Sequence, residues 1–499
     1  MVRNNPLRIF MLAAEAYPYA KAGGLGDVVG ALPKALAKLS TNPAVIIPAY
    51  KESQSGTFTV RSNSPILDFD VPMASSMEHA AVFHTRMNDS SVDVYLIGSN
   101  KYFDRNGIYS DPATGEGFAD NMERFIFFMK AGLELIISLG KPVDIVHCHD
   151  FHTALIPGLI NINYRHEPVL ADTGTLFTIH NMAHQGLYAN SALDLAGIDR
   201  KHFYPTSPFE YWGKLNFMKA GIELADKVNT VSHTYSEEIQ TSHEAGMGLE
   251  GVLRNRKEDI SGIVNGIDNS VWDPESDPFI PAHFSIHDLS GKAKCKASLL
   301  NYFNLPRSGN RVPLIGIVSR LEDQKGFDLI EEAMDAIAAM DLQMVLLGRG
   351  QKKYHDLFQQ IALRYPEKIG VRFSFNNELA HLIEAGSDIF LMPSKFEPCG
   401  LNQLYSFRYG TIPIVRRTGG LADTVIQFGH EHGNGFSFSE YSAKEMMAVL
   451  KQAINVYSDR TRWQPLMIRA MSQNWSWDKS AKQYMRLYCD IYSKRHPET

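Results

Sequence analysis

Asp388 to Met392, DIFLM, is an apolar run followed at once by the loop PSKFEPCG and then by a segment whose apolar residues Leu401, Leu404, Tyr405 and Phe407 recur at helical spacing. A strand that is apolar on both faces belongs inside a parallel sheet covered by helices. This unit therefore predicts an α/β chain and puts Glu397 on a strand-to-helix loop, at the carboxyl end of a strand. Ligands bind there in open α/β sheets, because loops and helix N-termini converge and the helix amides attract anions. A solvated loop glutamate needs no such site, since charged loop residues are common.

The same unit recurs along the chain. Leu7 to Ala14 reads as a strand, Tyr17 to Gly26 as a glycine-bearing loop, and Asp27 as the cap of a helix with Val28, Leu32, Leu36 and Leu39 on one face. Pro33 predicts a kink in that helix. A strand at Ala44 to Pro48 follows, an order that opens a doubly wound sheet. Short alternating runs between about 53 and 100, such as VDVYLIG, predict antiparallel strands at a sheet edge. Further strands are expected at Asp144 to His147, Leu176 to His180, Lys227 to Val231 and Asp259 to Val264. The Asp-, Asn- and Pro-rich stretch Asn265 to Pro281 reads as a boundary. A second series then places strands at Leu314 to Val318, Gln343 to Gly348, Val371 to Phe375 and Ile412 to Val415. Ala481, Tyr484, Tyr488 and Ile491 mark a last helix.

A chain of 499 residues accommodates two such domains with sizeable cores. The net charge of −6 gives no electrostatic footprint for nucleic acid or an anionic membrane. FIFFMKAGLELIISLG is interrupted by Lys130 and Glu134 and does not predict a membrane span. The opening apolar run stops at Glu15, too soon for a secretory signal. Four cysteines without a CxxC pair point to a reducing cytoplasm.

Four clusters fall at predicted strand ends. KAGGLGD, Lys21 to Asp27, combines glycines with a helix start, which suits a phosphate or a plain glycine turn. SRLEDQKG, Ser319 to Gly326, puts Arg320 and Lys325 on a loop. Each cation beside a diphosphate is worth on the order of 4 kcal/mol at contact in an effective dielectric near 20; solvated loop cations are the alternative. HCHDFH, His147 to His152, nearly matches a binuclear metallohydrolase signature, but its acid is one position early. Spacing decides metal motifs, so a sugar-binding or structural role is favoured over metal. In TIHNMAHQG, His180 and His184 are four apart without the Glu of HExxH, which argues against metal again. The DFD of Asp68 to Asp70 lies among edge strands and reads as structural.

These motifs, together with YWGKLNFMKAGI, ADKVNTVS, GLEGVLR, GIVNGID and TGGLADT, appear in the order found in the bacterial glycogen synthases and plant starch synthases, retaining glycosyltransferases of family five. The chain resembles that family over nearly its whole length. The resemblance implies a GT-B fold, two Rossmann-like doubly wound domains facing a deep cleft. Residues 1–258 would form the acceptor-side domain with a crossing helix at 478–499, and residues 265–475 the sugar-nucleotide domain. Position by position, it assigns Lys21, Gly23, Gly24 and Asp27 to the diphosphate and acceptor side, and Arg320 and Lys325 to the diphosphate. Glu397, Cys399, Gly400 and Leu401 match the loop at the transferred glucose. His180 matches the histidine near the reacting centre, and Asp150 and Asn265 line the sugar site. Phe375, Tyr405, Thr418, Gly419 and Gly420 belong to the same substrate site.

The implied reaction moves glucose from ADP-glucose to the non-reducing end of an α-1,4-glucan such as glycogen, with retention and with neither metal nor cofactor. Oligomeric state stays open. Relatives with two glutamates eight apart would place the second at 405; here it is Tyr405, as in the glycogen synthase branch. Phe375 and Asn377 depart from the tyrosine and acid expected of that branch, which bears on the choice between ADP and UDP. Two other classes remain to be tested: a metallohydrolase using His147, His149 and His152, and a catalytically silent glucan-binding protein.

Overall fold

A computed structural model describes residues 6–497 except 52, 54–63, 113, 308–310 and 375. The chain divides into two compact units, one of residues 1–266 and 477–499 and one of residues 267–476.

In the first unit the strands are β1 (Leu7–Leu12), β2 (Thr41–Pro48), β3 (Leu67–Met73), β4 (Ser76–Arg86), β5 (Asp93–Gly98) and β6 (Ile145–His149), then β7 (Gly174–Ile179), β8 (Leu187–Tyr188), β9 (Glu210–Tyr211), β10 (Lys214–Asn216), β11 (Lys227–Thr230) and β12 (Ile260–Gly262). Nine of these form one sheet in the order β12-β11-β7-β6-β1-β2-β5-β4-β3, and β8, β10 and β9 make a small separate sheet. Only β4 runs against its neighbours in the large sheet. The expected antiparallel edge is therefore the β3–β4 hairpin, whereas VDVYLIG, β5, lies parallel to β2.

Alternation buries β1 on both sides. Leu7, Ile9 and Met11 join a core with Val28, Leu32 and Leu36 of the helix Gly24–Ala37, while Phe10 and Leu12 join a core with Phe127, Phe128 and Ala131 of the helix Asn121–Ser138. The helix Gly24–Ala37 continues past Pro33. The terminal helix Trp477–Arg495 buries Ala481, Tyr484, Tyr488 and Ile491 at spacings of three and four, an amphipathic face laid on the first unit's core.

A polar chain fixes that helix in register. Thr178 Oγ1 donates to Asn229 Oδ1 at 2.5 Å, and Asn229 Nδ2 donates to Tyr484 Oη at 3.1 Å. With its proton spent, Thr178 accepts from His147 Nε2 at 2.6 Å, so the Tyr488 hydroxyl donates to His147 Nδ1 at 2.8 Å. Tyr488→Phe leaves a buried ring nitrogen unpaired and is expected to destabilise the protein by about 1–3 kcal/mol. A lower thermal midpoint would show it; an unchanged midpoint would show the bond is dispensable.

The second unit carries β13 (Leu314–Leu321), β14 (Gln343–Gly350), β15 (Ile369–Arg372), β16 (Ile389–Met392), β17 (Ile412–Arg416) and β18 (Phe436–Phe438), in the order β15-β14-β13-β16-β17-β18. Every pairing is parallel. Strand order reverses between β1 and β6 in the first unit and between β13 and β16 in the second. Such switch points open a crevice at the carboxyl ends of the strands, where loops diverge to opposite faces.

Candidate active site

At the first switch point the loop after β1 folds around a buried carboxylate. Glu15, 3% exposed, accepts at Oε2 from the amides of Ala22 (2.6 Å) and Gly23 (2.9 Å), and at Oε1 from the Tyr109 hydroxyl (2.5 Å). Two amides of the KAGGLGD loop, which suited a phosphate or a plain glycine turn, are thus taken by the chain itself. Asp27 does not cap the helix, because the helix begins at Gly24 with Gly23 as its N-cap in extended backbone. Glu15 supplies from upstream the acceptor that a capping-box residue would give. Asp27 sits instead in the first turn, where a negative charge suits the helix dipole, and pairs with Lys21 Nζ at 2.6 Å.

Strand β6 extends to His149, two residues further than expected, so His147 and His149 lie on the same side of the pleat with ring centroids 4.0 Å apart. Asp150 follows with a positive φ of 57° and an extended ψ of −178°, strained for a residue with a Cβ. Its Oδ1 accepts from the His180 amide at 2.7 Å. Burial pushes the Asp150 carboxyl up to about 7, against the pull of backbone hydrogen bonds from His180 and Asn181. His180 follows β7, and its Nε2 meets His149 Nδ1 at 2.9 Å. Burial holds His180 down at about 3, and holds His147, His149 and His152 well below the usual histidine range. Asn265, after β12, is buried, and its Oδ1 has no hydrogen-bond partner among the described residues.

These shifts set the sign of a pH dependence. A histidine with a depressed folded value takes up its proton only on unfolding, so its stabilisation is lost as pH falls through the unfolded value near 6.5. A carboxyl with a raised folded value works the other way, and Glu384, pushed up to about 8 by burial, joins Asp150 in this. The four histidines outnumber these two acids. Thermal stability is therefore expected to rise from pH 5 to pH 7, and a flat or falling midpoint over that range would contradict the assignment.

The histidine cluster does not assemble as a metal centre. Both ring nitrogens of His147 are already hydrogen-bonded, and among the described residues no three His, Cys, Asp or Glu side chains converge as a ligand set. Asp68 and Asp70 lie exposed on β3 at the sheet edge, with Asp70 Oδ1 3.4 Å from His79 Nδ1.

At the second switch point β13 runs to Leu321, so Arg320 is a strand residue and not a loop cation. Its backbone is held in register with Arg349 of β14, and its guanidinium pairs with Glu322 at 2.9 Å. Lys325 ends the turn Asp323–Lys325 and its Nζ meets Glu397 Oε2 at 2.6 Å. Two hydrogen bonds join the loops: the Gln324 side-chain Nε2 donates to the Phe396 carbonyl at 3.0 Å, and the Lys395 amide donates to the Gln324 carbonyl at 2.8 Å. Gly326, at φ 71°, allows the approach, since a Cβ there would stand 2.0 Å from the Pro393 carbonyl oxygen.

Glu397 is 6% exposed and also accepts from Ser394 Oγ at 3.0 Å, again at Oε2. Its Oε1 carries no hydrogen bond among the described residues. The Gly420 amide donates to the Glu397 carbonyl at 3.1 Å, and a Cβ on Gly419 (φ 45°) would stand 2.0 Å from that oxygen. Thr418, the N-cap of the helix Gly419–Thr424, thus leads a backbone packed directly against Glu397–Cys399. Cys399 is buried; Gly400 turns at φ 72° and Leu401 caps the helix Asn402–Arg408. Tyr405 is a core residue, its ring stacked on Trp272 at 3.8 Å, because the helix that bears it turns this side toward the second unit's core. Phe375 lies outside the described residues; Asn377 opens the helix Asn377–Gly386.

The structure thus joins Asp150, His149 and His180 in the first unit, and Lys325 with Glu397 in the second. Sequence reasoning missed Glu15, Tyr109, Ser394 and His149 as His180's partner. His149 and Ser394 lie inside motifs that the sequence marks, but nothing in their spacing encodes these contacts; Tyr109 left no signal, and Glu15 only its position just past the first strand.

Residues 8–255 match the starch synthase catalytic domain family, and residues 304–465 match glycosyl transferases group 1. The chain is 44% identical to the glycogen synthase of Koribacter versatilis, covering 98% of this chain and 99% of that one. It is 40% identical to the glycogen synthase of Thermosipho africanus, covering 98% and 100%. In structure it is similar to the catalytic domain of starch synthase IV from Arabidopsis thaliana bound to ADP and acarbose, with a TM-score of 0.90, 33% identity and coverage of 98% and 100%. The parallel sheets, the switch-point loops and these full-length matches agree: the chain belongs to the glycogen and starch synthase family, glycosyltransferases of the GT-B fold.

Proposed function

We propose that the protein transfers glucose from ADP-glucose to the non-reducing end of an α-1,4-glucan, with retention, in glycogen synthesis in a reducing cytoplasm. The observation that carries this reading is the Lys325–Glu397 pair at the β13/β16 switch point. An ammonium has three donors, and Glu397 takes one of them. The others remain for diphosphate oxygens, where negative charge grows as the glycosidic bond breaks. Arg320 adds a second cation; among the described residues its partner Glu322 leaves most of the guanidinium's donors uncommitted.

Glu397 is assigned an orienting role. Lys325 and Ser394 hold Oε2, while Oε1 is left to accept from sugar hydroxyls. A nucleophile would need a second, opposing acid, so attack on the same face as departure is favoured. The first unit contributes His180, Asp150 and Asn265 toward the sugar and Lys21 toward the diphosphate and acceptor. Gly23, Gly24 and Asp27 shape that loop. The second binds the nucleotide with Cys399, Gly400, Leu401 and Thr418 to Gly420. The ADP and acarbose bound to the Arabidopsis relative support an adenine nucleotide and a glucan as ligands here.

Incubation with ADP-glucose and maltoheptaose tests the reading. Chains lengthened by α-1,4-linked glucose at the non-reducing end, identified by NMR, support it. No elongation would remove the synthase assignment, and β-linked product would remove retention.

A further inference from the structure

His149 and His180 close adjacent parallel strands, and one hydrogen lies between His149 Nδ1 and His180 Nε2 at 2.9 Å. One ring donates and the other accepts, and the remaining nitrogens decide which. His149 Nε2 is buried without a hydrogen-bond partner among the described residues. If His180 donated, that Nε2 would carry a proton, leaving a buried N–H with no acceptor. If His149 donates, the orphan is only a lone pair. Orphaned buried N–H groups are much the rarer of the two. His149 is also held in place: its ring lies against His147, whose nitrogens are fixed by Tyr488 and Thr178. His180 is anchored at its amide by Asp150, and its Nδ1 carries no hydrogen bond among the described residues.

We propose that His149 is a positioning residue that fixes His180 in the Nδ1–H tautomer, so that His180 presents a hydrogen-bond donor to an oxygen of the transferred sugar. The tautomer assignment stands on the geometry alone; its consequence for turnover rests on the glucosyl-transfer reading. Both rings stay neutral near pH 7, since burial depresses both.

The test is a two-bond 1H–15N correlation spectrum of protein labelled at the histidine ring nitrogens, with His180 identified by the signals missing from His180→Asn. The expected wild-type pattern has His180 protonated on Nδ1. His149→Phe, which cannot donate, should move that proton in part to Nε2 and lower kcat about ten- to a hundredfold with a smaller change in KM. His149→Asn, whose amide can reach the same nitrogen, should keep the wild-type pattern and most of the turnover. A wild-type His180 protonated on Nε2, or an unchanged pattern in His149→Phe, would overturn the proposal. Nδ1 protonation in a wild-type protein that transfers no glucose would uphold the tautomer and remove the function reading instead.

Discussion

Lys325→Ala is expected to lower the rate of nucleoside diphosphate release by about 10²- to 10³-fold. The ammonium stands against Glu397 at 2.6 Å with both side chains largely buried, so the substitution removes a cation from the departing diphosphate and also strands a carboxylate. Removing one partner of a buried pair costs about 3 kcal/mol or somewhat more, and this effect must be separated from the loss of chemistry. The double variant Lys325→Met with Glu397→Gln does so: with no charge left unpaired, its urea midpoint should recover toward wild type while its turnover stays low. Near wild-type turnover in soluble Lys325→Ala would remove the cation from the mechanism.

Glu397→Gln is expected to lower turnover by about 10²-fold. Oε2 faces an ammonium and a hydroxyl donor, so the amide must turn its oxygen that way, and its NH₂ then takes the place of Oε1. An acceptor for sugar hydroxyls becomes a donor. The loss should fall mainly on kcat, because the orienting bonds matter most as the ring flattens. Glu397→Asp, which keeps the charge but withdraws it by one methylene, should also be slow. Full activity in Glu397→Gln would show that neither the charge nor the free oxygen is needed.

The sheet architecture was legible because parallel strands buried on both faces leave near-continuous apolar runs, and each run from Leu7 to Ile412 became a strand to within a few residues. Strand ends were less legible. Arg320 and His149 are polar, yet the ladder continues through them because their neighbours β14 and β7 still offer backbone partners. The cap assigned to Asp27 failed for a different reason: the acceptor that ends the loop comes from Glu15, and no local pattern encodes it. Long-range pairs were invisible for the same reason. Tyr109 reaches Glu15 across 94 residues, and Tyr488 reaches His147 across 341. Lys325 and Glu397 were each singled out from their loops, but only the switch point between β13 and β16 brings them into contact.

The most direct measurement is the rate of nucleoside diphosphate release with a glycogen primer, comparing ADP-glucose with UDP-glucose, each with and without a chelator. The proposed function predicts rapid release of ADP, slow release of UDP, and no effect of chelation. Release of neither diphosphate in the presence of primer, or activity abolished by the chelator, would contradict it.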